Sequence, residues 1–264
     1  MIKRFIPNFV TSLNILSGSF AILLSFQGEK GIIYSALLIF LASIFDFLDG
    51  FLARILKASS EIGKQLDSLA DVISFGLAPS FIMYQLLYNS LEITQQSATV
   101  NPFFSQQAIT YLILIVPFLI VILSAIRLAK FNVDTEQETK FIGLPTPALA
   151  IFVASLPLIL YTKTQNIFNI QITKLLFIFE NTYFLIFIAI LFSILLVINL
   201  PMFSIKFKGL KYKDNRFIYN FLIFSLLLLV LFQVTAIPLI IISYILISVL
   251  QFLILLINKK NKTY

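Results

Sequence analysis

Four aspartates interrupt an otherwise apolar sequence. They read Asp46-Phe-Leu-Asp49-Gly50-Phe-Leu-Ala53-Arg54 and, after eight residues, Gly63-Lys-Gln-Leu-Asp67-Ser-Leu-Ala-Asp71. Both pieces sit in or beside apolar segments, 31–55 and 66–88, of a chain that is 59% hydrophobic. A carboxylate near the bilayer centre costs roughly 2.5–3.5 kcal/mol on insertion scales, so packing does not explain four of them. Hard oxygen ligands suit one or two divalent cations: Mg, Mn or Ca. On helices, Asp46 and Asp49 share a face that Gly50 and Ala53 continue, and Gly63, Asp67 and Asp71 form a second stripe. The polar turn at 57–61 brings the stripes together. Small residues at 50, 53 and 63 leave room for a bulky group beside the backbone. Two clamped cations are a familiar means of holding a diphosphate and stabilising charge at a phosphorus under attack, and Arg54 and Lys64 add positive charge nearby. The bland alternative, helix ends whose acids reach water, suits any single aspartate better than all four at this spacing.

The elements that position these residues are membrane helices. Mean hydropathy is +1.00, only 12% of residues are charged, and apolar runs near the ~20 residues needed to cross a bilayer recur throughout. Long uninterrupted runs favour helices over a β-barrel. The reading is all-α: a single polytopic domain over 1–264 with about eight spans, at 9–27, 31–55, 66–88, 109–130, 146–162, 179–200, 217–235 and 238–257. Of the 19 Lys and Arg, all but Lys30, Lys163 and Lys174 fall on one set of connections, which places both termini in the cytoplasm. The net charge of +7 reflects that bias and an anionic leaflet, not nucleic acid. The basic N-terminus reads as retained, 89–108 as an irregular outward loop, 133–143 as a solvated charge cluster, and Glu180 as an outer-surface acid. Cys and His are both absent. That excludes disulfides, thiolate chemistry and the commonest general base, and leaves carboxylates for acid–base work.

The pattern Asp-x2-Asp-Gly-x2-Ala-Arg-x8-Gly-x3-Asp-x3-Asp, met at every fixed position, resembles the signature of the CDP-alcohol phosphatidyltransferase family. The resemblance implies a helical membrane enzyme, usually a homodimer, with a cytoplasm-facing site. Such a site transfers the phosphatidyl group of a CDP-linked lipid to an alcohol and releases CMP. Carried onto this sequence, Asp46, Asp49 and Asp67 would ligate the metals with Asp71 close to them, and Asp71 would be the general base. Gly50, Ala53 and Gly63 would make room for the nucleotide, and Arg54 would contact phosphate or brace the acidic helix.

Further segments are similar to one branch of that family, the membrane-integral phosphatidylserine synthases of bacteria. They are 6–14, 71–79, 124–132, 141–148 and 201–207, together spread over most of 1–208. The branch implies CDP-diacylglycerol and L-serine as substrates, Mg or Mn as cofactor, and the bacterial cytoplasmic membrane as location. Arg127 could bind a carboxylate or a phosphate in two-point fashion, helped by Ser124, Lys130 and Asn132; equally it is a basic anchor reaching the headgroups. Asn8 and Thr11 could reach the nucleotide or cap the first helix. Two rival readings stand beside this one. One keeps the chemistry but changes the alcohol to glycerol 3-phosphate, inositol phosphate or a second lipid. The other, an ion-coupled transporter, fits intramembrane acids but not their confinement to one corner without a second, related half.

Overall fold

A chain inside a bilayer must satisfy its own backbone polar groups, and a helix does so within one segment. The computed structural model follows that constraint. It describes residues 2–96, 106–133, 142–164, 177–202, 212 and 215–260, and contains no strand among them, only an isolated bridge between Ile142 and Pro201. The long helices are α1 (Ile2–Ser25), α2 (Gly28–Ile55), α3 (Glu61–Asp71), α4 (Ala78–Gln96), α5 (Gln106–Ile115), α6 (Phe118–Val133), α7 (Thr146–Thr164), α8 (Thr182–Val197), α9 (Arg216–Phe232) and α10 (Ala236–Lys260). A π-helical turn, Val72–Leu77, joins α3 to α4 without a break. Pro117, which has no N–H to donate, separates α5 from α6.

Among the described residues, five helical stretches are long and apolar enough to cross a membrane: Phe5–Ser25, Gly28–Ile55, Glu61–Leu91, Ala108–Val133 and Arg216–Ile254. Thr146–Thr162 and Thr182–Val197 are apolar but shorter. The last long stretch is not one rod. Gln233 takes φ 51° and reverses the chain, so that Phe221 of α9 stacks on Tyr244 of α10 with ring centroids 6.1 Å apart.

The fold departs from the sequence reading in detail. The region 89–108 is not irregular from its start: α4 runs on to Gln96, with Leu91 packed on the core. Glu180 lies in a short 3-10 turn ahead of α8. With Glu29 it lines a cavity of about 180 Å³ at the end of the bundle away from the aspartates. The charge cluster at 134–140 and most of the basic stretch at 203–214 lie outside the described residues.

Association of helices in lipid rests on close packing of small residues more than on a hydrophobic drive. Ala21, Ala36 and Ala42 are fully buried along the α1–α2 pair. At Gly18, α1 meets the π turn so closely that an added Cβ would lie 2.7 Å from the Cα of Ser74. The Ser74 hydroxyl donates to the Asn14 carbonyl at 2.9 Å and pins the same crossing. Around these contacts Phe75, Ile82, Met83 and Phe152 are fully buried, and Phe152 packs on Phe192 with centroids 4.2 Å apart. Gly18→Val should force α1 off the π turn and cost about 1–3 kcal/mol, the usual range for overpacking. A thermal midpoint in detergent equal to that of the unsubstituted protein would show the crossing to be looser than described.

Candidate active site

The sequence builds the acidic corner by ending one helix sharply and capping the next. The N–H of Ala58 donates to the Ala53 carbonyl at 2.9 Å and that of Lys57 to the Arg54 carbonyl at 3.2 Å. This pair of bonds is a Schellman closure, and it needs a left-handed residue that is usually Gly. Here Lys57 supplies it, with φ 48°. Three residues later the Ser60 hydroxyl caps α3 by accepting from the Gly63 N–H at 3.1 Å. The chain thus turns back within a few residues and lays α3 beside the last turns of α2.

Asp46, Asp49 and Asp67 come together: each offers a carboxylate oxygen within 4.8 Å of the others. Asp49 is only 5% exposed and its Oδ2 has no hydrogen-bond partner among the described residues. The Thr11 hydroxyl, which donates to the Pro7 carbonyl at 3.1 Å, lies beside the Asp49 carboxylate. Asp71 is next to this trio. Its carboxyl is within hydrogen-bonding range of Asp46, while its Oδ1 is buried and unpartnered. Closely spaced carboxylate oxygens, some of them buried and unsatisfied, match the donor set of a hard divalent-cation site.

Two cavities flank α3. One, of about 410 Å³, is bordered by Asn8, Thr11, Asp49, Gly50, Ala53, Arg54, Gly63, Lys64 and Asp67 among others. A Cβ at Gly50 would meet nothing within 4 Å, and one at Gly63 would meet Asn8 Oδ1 at 3.1 Å. Gly50 therefore opens the cavity, and Gly63 lets α3 approach α1. Arg54 is braced by its own helix, its Nε donating to the Gly50 carbonyl at 3.0 Å. The second cavity, of about 230 Å³, is bordered by Lys64, Asp67, Asp71, Arg127, Asn132 and Thr146, with Leu128, Phe131, Pro145 and Pro147 as apolar walls. Lys64 and Asp67 belong to both.

The structure sorts the acceptor candidates. Arg127 borders the second cavity, its Nε buried and without a hydrogen-bond partner among the described residues, within electrostatic range of Asp71 and Tyr244. Asn132 borders it too, but its amide donates to the Ser68 hydroxyl at 2.9 Å and so ties α6 to α3. Ser124 borders neither site cavity. It is fully buried where α6 crosses the π turn, its Cβ 3.3 Å from where a Cβ on Gly76 would be. Lys130 is exposed and borders neither cavity. Sequence reasoning missed Thr146, whose place at a helix start beside two prolines was the available signal. It also missed the π turn directly after Asp71, a feature frequent at functional sites that leaves no mark in hydropathy.

Comparison with known proteins places the chain in a family. The family model described as CDP-alcohol phosphatidyltransferase matches residues 4–205. A CDP-diacylglycerol–serine O-phosphatidyltransferase of Methanocaldococcus jannaschii is 38% identical over 148 residues, 56% of this chain and 58% of the relative. An archaetidylserine synthase of Methanothermobacter thermautotrophicus is 36% identical over 152 residues, 57% of this chain and 56% of the relative. A CDP-diacylglycerol–serine O-phosphatidyltransferase of Bacillus subtilis is 32% identical over 182 residues, 66% of this chain and 90% of the relative. The chain spans little more than half the length of the first two. The α9–α10 hairpin lies beyond the matched residues, yet α10 packs on α7 and carries the Tyr244 that faces Arg127.

The three-carboxylate cluster makes a prediction that needs no substrate. Mn should raise the thermal midpoint of the detergent-solubilised protein, since an ion at 100 times its dissociation constant stabilises the folded state by about 2.7 kcal/mol. Asp67→Asn should remove most of that gain. An equal Mn response from both proteins would place the ion elsewhere.

Proposed function

As this chain belongs to the CDP-alcohol phosphatidyltransferase family, we propose that it transfers the phosphatidyl group of CDP-diacylglycerol to the hydroxyl of L-serine and releases CMP. The observation that carries the reading is the pair of cavities sharing Asp67 and Lys64, with Asp71 opening only onto the smaller one. A nucleotide occupies the larger cavity against Gly50 and Ala53, and the acceptor occupies the smaller. Asp46, Asp49 and Asp67 would hold Mg or Mn, which when bound neutralises the diphosphate and the departing CMP.

The residues then have distinct tasks. Asp71 takes the proton of the serine hydroxyl. The serine oxygen forms a bond to the phosphorus that carries the diacylglycerol, and the bond from that phosphorus to the oxygen bridging to CMP breaks. The proton stays on Asp71 until it reaches water. Arg127 neutralises the serine carboxylate, and Arg54 and Lys64 face the phosphates. Displacement of this type depends on positioning and electrostatics rather than on covalent help from the protein.

Serine fits the smaller cavity better than a phosphorylated alcohol does. Its cationic side chains are Lys64 and Arg127, set against Asp67 and Asp71, a balance suited to a zwitterion. Lys130, which would have extended a phosphate-binding cluster, borders neither cavity. The relatives' names differ in the lipid, diacylglycerol or archaetidyl, but agree on serine. The proposal also keeps one catalytic membrane domain with eight crossings, counting α7, α8 and each arm of the α9–α10 hairpin. Both termini and the site then face the cytoplasm of a bacterium, and the working unit is a homodimer.

An acceptor panel in mixed micelles tests this directly. CDP-diacylglycerol with Mg or Mn is offered L-serine, glycerol 3-phosphate or inositol phosphate in separate reactions, and CMP and lipid product are followed together. Product is expected with serine alone, and product with another acceptor instead would discard serine. Asp71→Asn should lower turnover by at least ~100-fold, the contribution of a positioned base, while CDP-lipid still binds. Unchanged turnover would remove Asp71 from the proton transfer.

A further inference from the structure

Hydroxyls in this bundle mostly return to their own helix. Thr11 donates to Pro7, Ser43 to Ile39, Ser80 to Gly76 and Ser248 to Tyr244, each to the carbonyl one turn back. Thr146 cannot do so. It is the first residue of α7 and has no preceding helical turn. Its side chain is 1% exposed, and its Oγ1 has no hydrogen-bond partner among the described residues. Ser35, Ser124, Ser193 and Ser225 are also unpartnered, but none of them borders either site cavity. Thr146 borders the smaller one.

Two further facts bear on what that hydroxyl meets. The start of α7 is the positive end of a 19-residue helix, and Pro145, Thr146 and Pro147 at that end border the cavity. This end is also held firmly. The Gly143 N–H donates to the Leu200 carbonyl at 2.9 Å and the Leu144 N–H to the Leu195 carbonyl at 2.8 Å. Gly143 itself takes φ 74°, with Leu196 too close for a side chain. Across the cavity stands Arg127 with its unpartnered Nε. A buried hydroxyl, a helix N-terminus and a guanidinium converging on one space are together suited to a carboxylate.

We propose that Thr146 is a specificity-determining residue whose hydroxyl donates to the carboxylate of the acceptor amino acid that Arg127 neutralises. The acceptor is then held at one end, and its own hydroxyl is turned toward Asp71. This rests on the serine reading above and deepens it. A carboxylate-free acceptor leaves both Arg127 and Thr146 unpaired in a buried site, and unpaired groups of this kind reject an analogue strongly.

The experiment compares unsubstituted protein, Thr146→Val and Thr146→Ser with L-serine and with L-serinamide, which keeps the hydroxyl and the ammonium but lacks the carboxylate. KM and kcat are read separately, with CDP-diacylglycerol saturating. Thr146→Val should raise KM for serine about 10- to 100-fold, the scale of a hydrogen bond to a charged group, with a much smaller change in kcat. The preference for serine over serinamide should narrow by the same factor, and Thr146→Ser should restore both. Equal losses on the two acceptors, or an unchanged KM for serine, would overturn the assignment and leave Thr146 a packing residue. If Thr146→Val does not fold, Thr146→Ala answers the same question. Failure of the unsubstituted protein to use serine overturns the acceptor reading itself, and that is visible before any variant is compared.

Discussion

The structure depends on holding negative charge together where charge is expensive. Two ionised carboxylates with oxygens 4.8 Å apart repel by roughly 3.5 kcal/mol at an effective dielectric of 20, and the cluster joins three such groups with a fourth beside them. No part of α2 or α3 gains from this arrangement alone. It persists because the surrounding crossings fix both helices: Gly18 against Ser74, the Schellman turn at Lys57, the Ser60 cap, and the Asn132–Ser68 bond. Rigid packing holds the acids in place, and a cation can then recover the electrostatic cost when it binds.

On the proposed reading, chemistry and selectivity are carried by different helices. The acids and the glycines of the larger cavity come from α2 and α3, and α1 adds Asn8 and Thr11. The walls of the smaller cavity that α3 does not supply come from α6 and the start of α7. The α9–α10 hairpin reaches the same side through Tyr244.

What the sequence made legible follows from contrast. Aspartates in an apolar background stand out, and helical spacing alone put Asp46 with Asp49 and Asp67 with Asp71. The short polar turn at 57–61 implied that the two stripes meet, and in the structure Asp46, Asp49 and Asp67 converge from two helices. Asn8, Thr11, Gly50, Ala53, Arg54 and Gly63 all border one cavity, as a shared face of neighbouring helices would have it. Acceptor residues were harder to read because Ser124, Arg127, Lys130 and Asn132 fan over about 200° of one helix at 100° per residue, so they cannot share one direction. Ser124 went to a helix crossing, Lys130 to the surface, and Asn132 to a bond with Ser68. Lys57 in a position usually given to Gly, and Thr146 left without a carbonyl to return to, are properties of backbone geometry. Residue type alone does not announce them.

The π turn at Val72–Leu77 has a consequence for phase. A wide turn accommodates an extra residue within one helix, and each residue is worth about 100° of rotation. Asp67 and Asp71 before it face the site, while Ile82, Met83, Leu86 and Leu87 after it face the core. One continuous rod thus presents two differently phased faces, each aimed where it is needed. Removing a single residue between 72 and 77 would act as a rotation of α4 against α3 rather than as a shortening of the span.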